Sequence, residues 1–578
     1  MSLTTPKYNV KDALKSHFGF DQFKGAQEQI IENVLAGRNT FVLMPTGGGK
    51  SLCYQLPSLI LAGTSIIVSP LIALMKNQVD AVRGFSQTGQ IAHFMNSSLS
   101  KAEIAQVKSD VLSGQTKMLY VAPESLTKKE NIDFLSAVPI SFFAIDEAHC
   151  ISEWGHDFSP AYFNIYILRE LKPKMACIAL TATATPKVEE DIKAKLALKM
   201  PQVFKASYAR QKLLFSCVKT EMKARAMLEH SAMKQGRGIV YARSRKATKE
   251  LTLFFLKHHI PTTFYHAGLS HHERQEAMQK WMKGGARVMV ATNAFGMGID
   301  KDDVRFVFHY DLPESLEAYY QEAGRAGRDG KEAHCVLFYF DGDIQLARQK
   351  LESSFPPIDY IRNVYQSLAN YFQLAVGSAE LEAFDFDFDD FRSRYKLEVV
   401  PSYNALKKLE EEGYIHLNES FHTPSKAYIP ISYEQLYEFQ VKYPRLDPFI
   451  KALLRLYGGD LFTHFTMISE AKLAKLMQVS VSELVSNLEI LHKQGILHYQ
   501  PTNSKPKLTF LTPRYDARNL PLNKKKMDEL KQRKVHKQEE MIHYAKADRM
   551  CRMTFILEYF GEENYPKCGN CDNCLVKI

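Results

Sequence analysis

Tryptophan is nearly missing, with two residues in 578, and no apolar stretch reaches the roughly 20 residues that cross a bilayer as a helix. The longest candidate, "SLILAGTSIIVSPLIALM", is broken by glycine, proline and serines, which excludes a membrane anchor there. The opening "MSLTTPKYNV" lacks the apolar core of a secretory leader, so a cytoplasmic location without a membrane partner is expected. Charge of one sign is also scarce. A net +10 admits a polyanionic partner without requiring one, and the lysine-rich "LNKKKMDELKQRKVHKQ" suits a solvated helix face as well as a binding stripe. Cysteines are too unevenly placed for a disulfide framework. Cys53, Cys150, Cys177, Cys217 and Cys335 are scattered as buried thiols are, whereas Cys551, Cys568, Cys571 and Cys574 crowd the carboxyl end and point to a metal. The length is enough for three or four domains, each with its own core.

What is present starts with "RNTFVLMPTGGGKSLCYQLPSLILA", which predicts a short buried strand, a glycine turn and a helix beginning near Gly49. Thr46, Gly47, Gly48 and Gly49 would let phosphates approach the backbone, and the helix start would direct amides at the anion. Lys50 would reach the outer phosphates and Ser51 would ligate magnesium, implying a nucleoside triphosphate and Mg²⁺ as cofactors. Met44 stands where the strict motif has its first glycine, and an ordinary glycine turn is the alternative. About a hundred residues on, the apolar strand of "ISFFAIDEAHCISEWGHDF" ends in a paired acid that supports the nucleotide reading. Asp146 would hold the metal through water, and Glu147 would orient and deprotonate the attacking water. In "YYQEAGRAGRDG", Gln321, Arg325 and Arg328 fall on one face if the segment is helical, suited to charge developing on a transferred phosphoryl group.

These residues resemble the superfamily 2 helicases and, within them, the RecQ family. "MPTGGGKSLCYQLP", "SPLIALMKNQV", "YVAPESL", "IDEAHCISEWGHDF", "ALTATAT", "YHAGLS", "VATNAFGMGIDKDDVRFVFHYDLP" and "YYQEAGRAGRDG" follow in that family's order. The resemblance implies an α/β chain with two tandem RecA-like domains, at 1–207 and 208–348, and ATP bound in the cleft between them. Apolar runs alternating with helical stretches agree with parallel sheets of this kind. "FGFDQFKGAQEQII" resembles the family's adenine-recognition segment through Phe20, Lys24 and Gln27, with lysine at 24 where the family has arginine. "ISEWGHDFSPAYF" resembles its single-strand-sensing loop, so Trp154, Phe158 and Tyr162 would offer π faces to bases and His156 would relay occupancy. Ser159 and Ala161 replace the arginine and glutamate common there. Ser69, Pro123, Thr181, His266 and Thr292 match motif loops that hold DNA phosphates in the family.

The end of the chain, "CRMTFILEYFGEENYPKCGNCDNCLVKI", has the spacing C-x16-C-x2-C-x2-C and resembles the RecQ zinc-binding module, here 519–578. Four thiolates fill a tetrahedral zinc shell, and ferredoxin-type iron–sulfur runs also begin C-x2-C-x2-C. Between motor and module lies a weak repeat. "NALKKLEEEGYIHLN" and "SNLEILHKQGILHYQ" place Leu406, Leu409 and Gly413 against Leu488, Leu491 and Gly495. Each helix should stop at its glycine and pass to a strand, with second strands in "KAYIPI" and "KLTFLT" respectively. Two tandem, mostly helical winged-helix-like units follow, at 349–432 and 433–518. They suit duplex DNA or a scaffolding role, and the basic flanks "SKPK" and "NKKK" favour the second for duplex.

The expectation is an ATP-dependent DNA helicase moving 3′ to 5′ on single strands in recombination and repair. Single-stranded and forked DNA are its expected partners, with single-strand-binding or repair proteins as candidates. A remodelling translocase and a zinc-bearing regulatory protein are the alternatives.

Overall fold

Runs of β-branched and aromatic residues build two fully parallel sheets in the computed structural model. It describes residues 9–70, 72–85, 89–96, 99, 101–155, 159–233, 235–296, 301–418, 425–463, 465–501 and 507–575. His156 and Phe158 lie outside these. The described residues form two compact units, Met1–Gln349 with Leu530–Ile578, and Lys350–Glu529. No helix among them is long and apolar enough to cross a membrane.

In the first unit, β1 (Thr40–Leu43), β2 (Thr64–Val68), β3 (Ala92–Met95), β4 (Met118–Val121), β5 (Ile140–Ile145), β6 (Cys177–Thr181) and β7 (Gln202–Lys205) pair in the order β3-β4-β2-β5-β6-β1-β7. Successive side chains on a strand point to opposite faces. Phe41 and Leu43 therefore join one core while Val42 and Met44 join the other. Burial on both faces explains why these strands read as unbroken apolar runs. A second sheet, β8 (Leu213–Lys219), β9 (Arg237–Tyr241), β10 (Thr262–Tyr265), β11 (Val288–Ala291), β12 (Val304–His309) and β13 (Ala333–Tyr339), pairs as β10-β11-β9-β12-β13-β8. In such sheets the loops at the carboxyl ends of the strands carry function. β1 and β5 flank β6, which brings the glycine loop and the acidic pair to one edge.

The second unit contains β14 (Ala383–Asp385), β15 (Ile415–Asn418), β16 (Lys426–Tyr428), β17 (Thr466–Met467), β18 (His498–Gln500) and β19 (Lys507–Phe510). The repeated leucines are buried at 0–1% exposure, and Gly413 and Gly495 follow the helices Val399–Glu411 and Val481–Lys493 with φ of +79° and +69°. Left-handed glycine at this position ends helices. The strand pairing corrects the expectation from sequence. β15 was expected to pair with the "KAYIPI" strand and β18 with "KLTFLT". Instead β15 pairs with β19, Ile415 opposite Phe510, and β16 pairs with β18, Tyr428 opposite His498. The two winged units are nested rather than consecutive. The inner one, from β16 to β18, enters and leaves between the paired residues Asn418 and Lys507 of the outer one. Their cores are separate, with Leu508 and Phe510 joining Leu406 and Leu409, and Ala427 and Tyr499 joining Leu488 and Leu491.

Candidate nucleotide site and metal centre

The glycine loop leaves β1 with Gly47 and Gly49 at φ of +80° and +79°, conformations that a side chain would strain. The helix therefore cannot begin at Gly49 and starts at Leu52. Met44 has a local reason. A Cβ on Gly48 would meet Met44 Cγ at 2.6 Å, so the methionine fills room that the glycine leaves, and its carbonyl accepts from Lys50 Nζ at 3.2 Å. Gln27 grips the loop. Its Nε2 donates to the carbonyls of Gly48 and Gly49 at 3.2 and 3.1 Å, and its Oε1 accepts from the Lys24 amide at 2.8 Å. Lys24 thus contributes its backbone here, and Phe20 is exposed beside Phe18.

β5 delivers the acidic pair. Asp146 Oδ1 accepts from the Glu147 amide at 3.0 Å, its Oδ2 from the Tyr54 hydroxyl at 3.4 Å, and its carbonyl from the Tyr162 hydroxyl at 3.0 Å. Burial first, then the neighbouring Glu147 charge, pushes the Asp146 carboxyl up to about 7, against the pull of Lys50. Burial lowers Lys50 despite both carboxylates. Glu147 adopts φ of +46°, and its buried Oε2 accepts no hydrogen bond among the described residues, with His149 Nδ1 at 3.4 Å. Such a carboxylate pair, with the Ser51 hydroxyl of the glycine loop, offers the oxygen donors that a hard cation such as magnesium takes.

The arginines correct a second expectation. The helix Leu316–Ala323 carries Gln321 but ends before Arg325 and Arg328, which lie on a turn rather than one helix face. Gly324, Gly327 and Gly330 account for this, the last two at φ of +63° and +74°. The turn meets the glycine loop directly. Thr46 Oγ1 donates to the Gly324 carbonyl at 3.2 Å, and a Cβ on Gly47 would meet Arg328 Cγ at 3.1 Å. Arg325 is buried and its guanidinium donates to the Gly296 carbonyl.

The candidate DNA residues are placed differently from one another. Ser69, Pro123, Thr181, His266 and Thr292 all have buried side chains. Thr181 Oγ1 is 2.9 Å from His149 Nδ1, while neither ring nitrogen of His266 has a hydrogen-bond partner among the described residues. Tyr162 is fully buried with its hydroxyl spent on Asp146, so it presents no face to a base. The Trp154 ring is not open either. Lys187 Nζ lies 3.0 Å from its centroid and the Arg533 guanidinium 4.6 Å.

The four carboxyl-terminal cysteines converge, with all sulfurs within 4.8 Å of one another. Thiolates about 2.3 Å from a tetrahedral zinc stand about 3.8 Å apart, so the group fits one ion. Sulfurs on the different irons of a cluster would be spread farther. Amides of Cys568 and Arg552 donate to the sulfurs of Cys551 and Cys571 at 3.3 and 3.4 Å, which favours thiolates. Asp572 ties this centre to β8, receiving the Arg552 guanidinium at 2.9 Å and the Cys217 amide at 2.8 Å.

The sequence reading missed the segment joining the two sheets. Tyr208 there is bonded through its hydroxyl to the Ala184 amide and carbonyl, each at 3.1 Å, and its carbonyl accepts from the Tyr320 hydroxyl at 2.6 Å. Phe560 stacks on its ring at 4.2 Å and Glu562 accepts its amide at 2.6 Å. Arg210 donates to the carbonyls of Ala326 and Gly327 at 2.9 and 3.2 Å, behind the arginine turn. No local motif marks these residues, because every partner is distant in sequence.

Comparison with known proteins agrees with this geometry. The DEAD/DEAH box helicase family matches residues 24–192, and the helicase conserved C-terminal domain matches 220–330. The fold and site thus have the two-lobed form of these helicase families. The RecQ helicase winged-helix domain of Bacteroidota matches residues 428–501, the inner winged unit, and the RecQ zinc-binding family matches 515–575. The ATP-dependent DNA helicase RecQ of Bacillus subtilis is 43% identical over 350 residues, covering 60% of this chain and 59% of its own length. The probable ATP-dependent DNA helicase RecS of the same organism is 39% identical, covering 62% of this chain and 72% of its own. The chain belongs to the RecQ family. It spans 53–59% of the length of the RecQ relatives from B. subtilis, Pasteurella multocida and Haemophilus influenzae. The structure of Mss116p bound to single-stranded RNA and AMP-PNP shares the fold, with TM-score 0.50 and 17% identity over 70% of this chain and 92% of that one.

Proposed function

We propose that the chain is an ATP-dependent DNA helicase that tracks 3′ to 5′ along single strands and separates forked duplexes in recombination and repair. The observation that carries this is the seam, where Thr46 bonds Gly324 and Arg328 packs on Gly47. Phosphates on the loop would meet Lys50 from one lobe and Arg325 and Arg328 from the other. Ser51 and Asp146 would hold magnesium, which neutralises phosphate charge when bound. Glu147, with its buried unbonded oxygen, would take the proton of the attacking water, and Gln321 would orient groups across the seam. Gln27 and Lys24, with the exposed Phe20, suit the adenine. Departure of the cleaved phosphate would remove the charge that the arginines face, so the seam loosens and the lobes step along DNA held by its backbone. Ser69, Pro123, Thr181, His266 and Thr292 would serve through their loops rather than exposed side chains. The lobes divide near 207 and end near 348, and the zinc module from 519 is structural, since four cysteines leave no open coordination position.

The test is ATP hydrolysis with and without single-stranded DNA, together with displacement of strands bearing 3′ or 5′ tails. Wild-type protein should be stimulated and open only the 3′-tailed substrate, and Glu147→Gln should bind ATP but lose at least about 100-fold in turnover. Stimulated hydrolysis without displacement would favour a remodelling translocase. Hydrolysis unaffected by Glu147→Gln would reject the assignment of the base.

A further inference from the structure

We propose that Lys537 is a positioning residue that couples the loop following the acidic pair to the helix bearing Gln321. The proposal rests on the helicase reading above. Lys537 belongs to the zinc module, on the part of the helix Lys524–Lys546 that packs within the first unit. Its Nζ donates to the Trp154 carbonyl at 2.6 Å and pairs with Glu317 Oε1 at 3.1 Å. Glu317 is 3% exposed and lies one turn before Gln321 on the helix Leu316–Ala323. One turn before Lys537, Arg533 pairs with Glu153 at 3.4 Å and lies 4.6 Å from the Trp154 ring centroid. One ammonium therefore joins the first lobe's loop to the second lobe's helix.

A carboxylate as buried as Glu317 depends strongly on its cation, and removing one partner of such a pair leaves an uncompensated charge. A single strand that draws on the 152–155 loop moves the Trp154 carbonyl. Lys537 must follow, and Glu317 transmits the shift to the helix that presents Gln321 toward the nucleotide. The zinc module thereby acts in coupling as well as in folding.

The experiment uses the full zinc-loaded chain. Lys537→Met should leave ATP hydrolysis without DNA and the KM for ATP unchanged, while DNA-stimulated kcat falls about 5- to 10-fold, within the usual range of site-to-site coupling. Lys537→Arg should recover most of it, and Glu317→Gln should reproduce the defect, with the double variant no worse than either single one. The chain has two tryptophans and Trp281 is fully buried, so the emission change on adding an oligonucleotide reports Trp154. That change should persist in Lys537→Met. Wild-type stimulation in Lys537→Met, an equal loss of basal and stimulated rates, or no rescue by arginine overturns the proposal. Zinc content measured on each variant must equal that of wild type, and loss of zinc in Lys537→Met assigns the residue to folding and also overturns it. A wild-type protein indifferent to DNA instead overturns the helicase reading.

Discussion

Removing the ring of Phe560 tests whether the zinc module holds the connection between the lobes. Phe560 is 4% exposed, stacks on Tyr208 at 4.2 Å and meets Tyr320 at 5.5 Å, edge to face. Phe560→Ala loses the transfer energy of the ring and leaves a cavity, a cost of about 3–5 kcal/mol. The unit concerned has about 400 residues, so its entropy of unfolding is about 0.8 kcal/mol/K and the cost becomes a fall of about 4–6 °C in Tm. Phe560→Leu, which keeps most of the volume, should fall by about 2 °C or less. Without the stack, trypsin should also cut at Arg210 and Lys212 sooner than in wild type, because Tyr208 would be left with only its hydrogen bonds to Ala184, Tyr320 and Glu562. Thermal fluorescence and timed proteolysis read both effects. A Tm within ~1 °C of wild type, with unchanged cleavage, would refute the claim that this stack clamps the connection.

The Asp146 carboxyl is raised from 3.8 to about 7 by burial and by Glu147. The folded chain therefore holds that proton more tightly than the unfolded one, and the stability it supplies is present below pH 4 and lost as pH rises to about 7. At about 1.4 kcal/mol per unit the ceiling is about 4 kcal/mol. Nucleotide-free Tm should decline across that window and Asp146→Asn should flatten the decline; an unchanged slope in the variant would assign it to other groups. For the nested units, replacing 419–506 with an Asn-Gly turn should preserve the outer fold, because Asn418 and Lys507 already pair across the sheet. Deleting 433–518 removes β19 and should unfold the outer unit by circular dichroism. If the inner unit binds duplex, the first deletion alone should weaken forked-DNA binding.

The two-sheet region was largely legible because most of its strands are buried on both faces and its candidate chemistry is local. β1 and the glycine loop, β5 and Asp146–Glu147, and the four cysteines each occupy short windows of sequence. The edge strands β3 and β7 carry a weaker signal, β7 being mostly exposed and without a full apolar run. The arginine turn was misread because a spacing of four and three suits a helix, and only the three glycines argue against it. Strand pairing in the winged units was ambiguous for a plainer reason. Both halves carry the same leucine, glycine and strand pattern, so local sequence cannot tell which strand closes which sheet. Trp154 was expected to face bases because its segment resembles the strand-sensing loop, and its neighbour Arg533 lies far along the chain, beyond the reach of any motif.

The outer sheet runs β14-β19-β15, so its middle strand is the last of the three to be made. On a ribosome adding 5–20 residues per second, β15 waits roughly 4–18 s for the partner some 90 residues downstream. The inner unit owns all of its strands and core within that interval and can mature first. A nascent chain stalled before residue 507 would therefore display β14 and β15 with raw edges, the template on which chaperones or neighbouring polysomes would act.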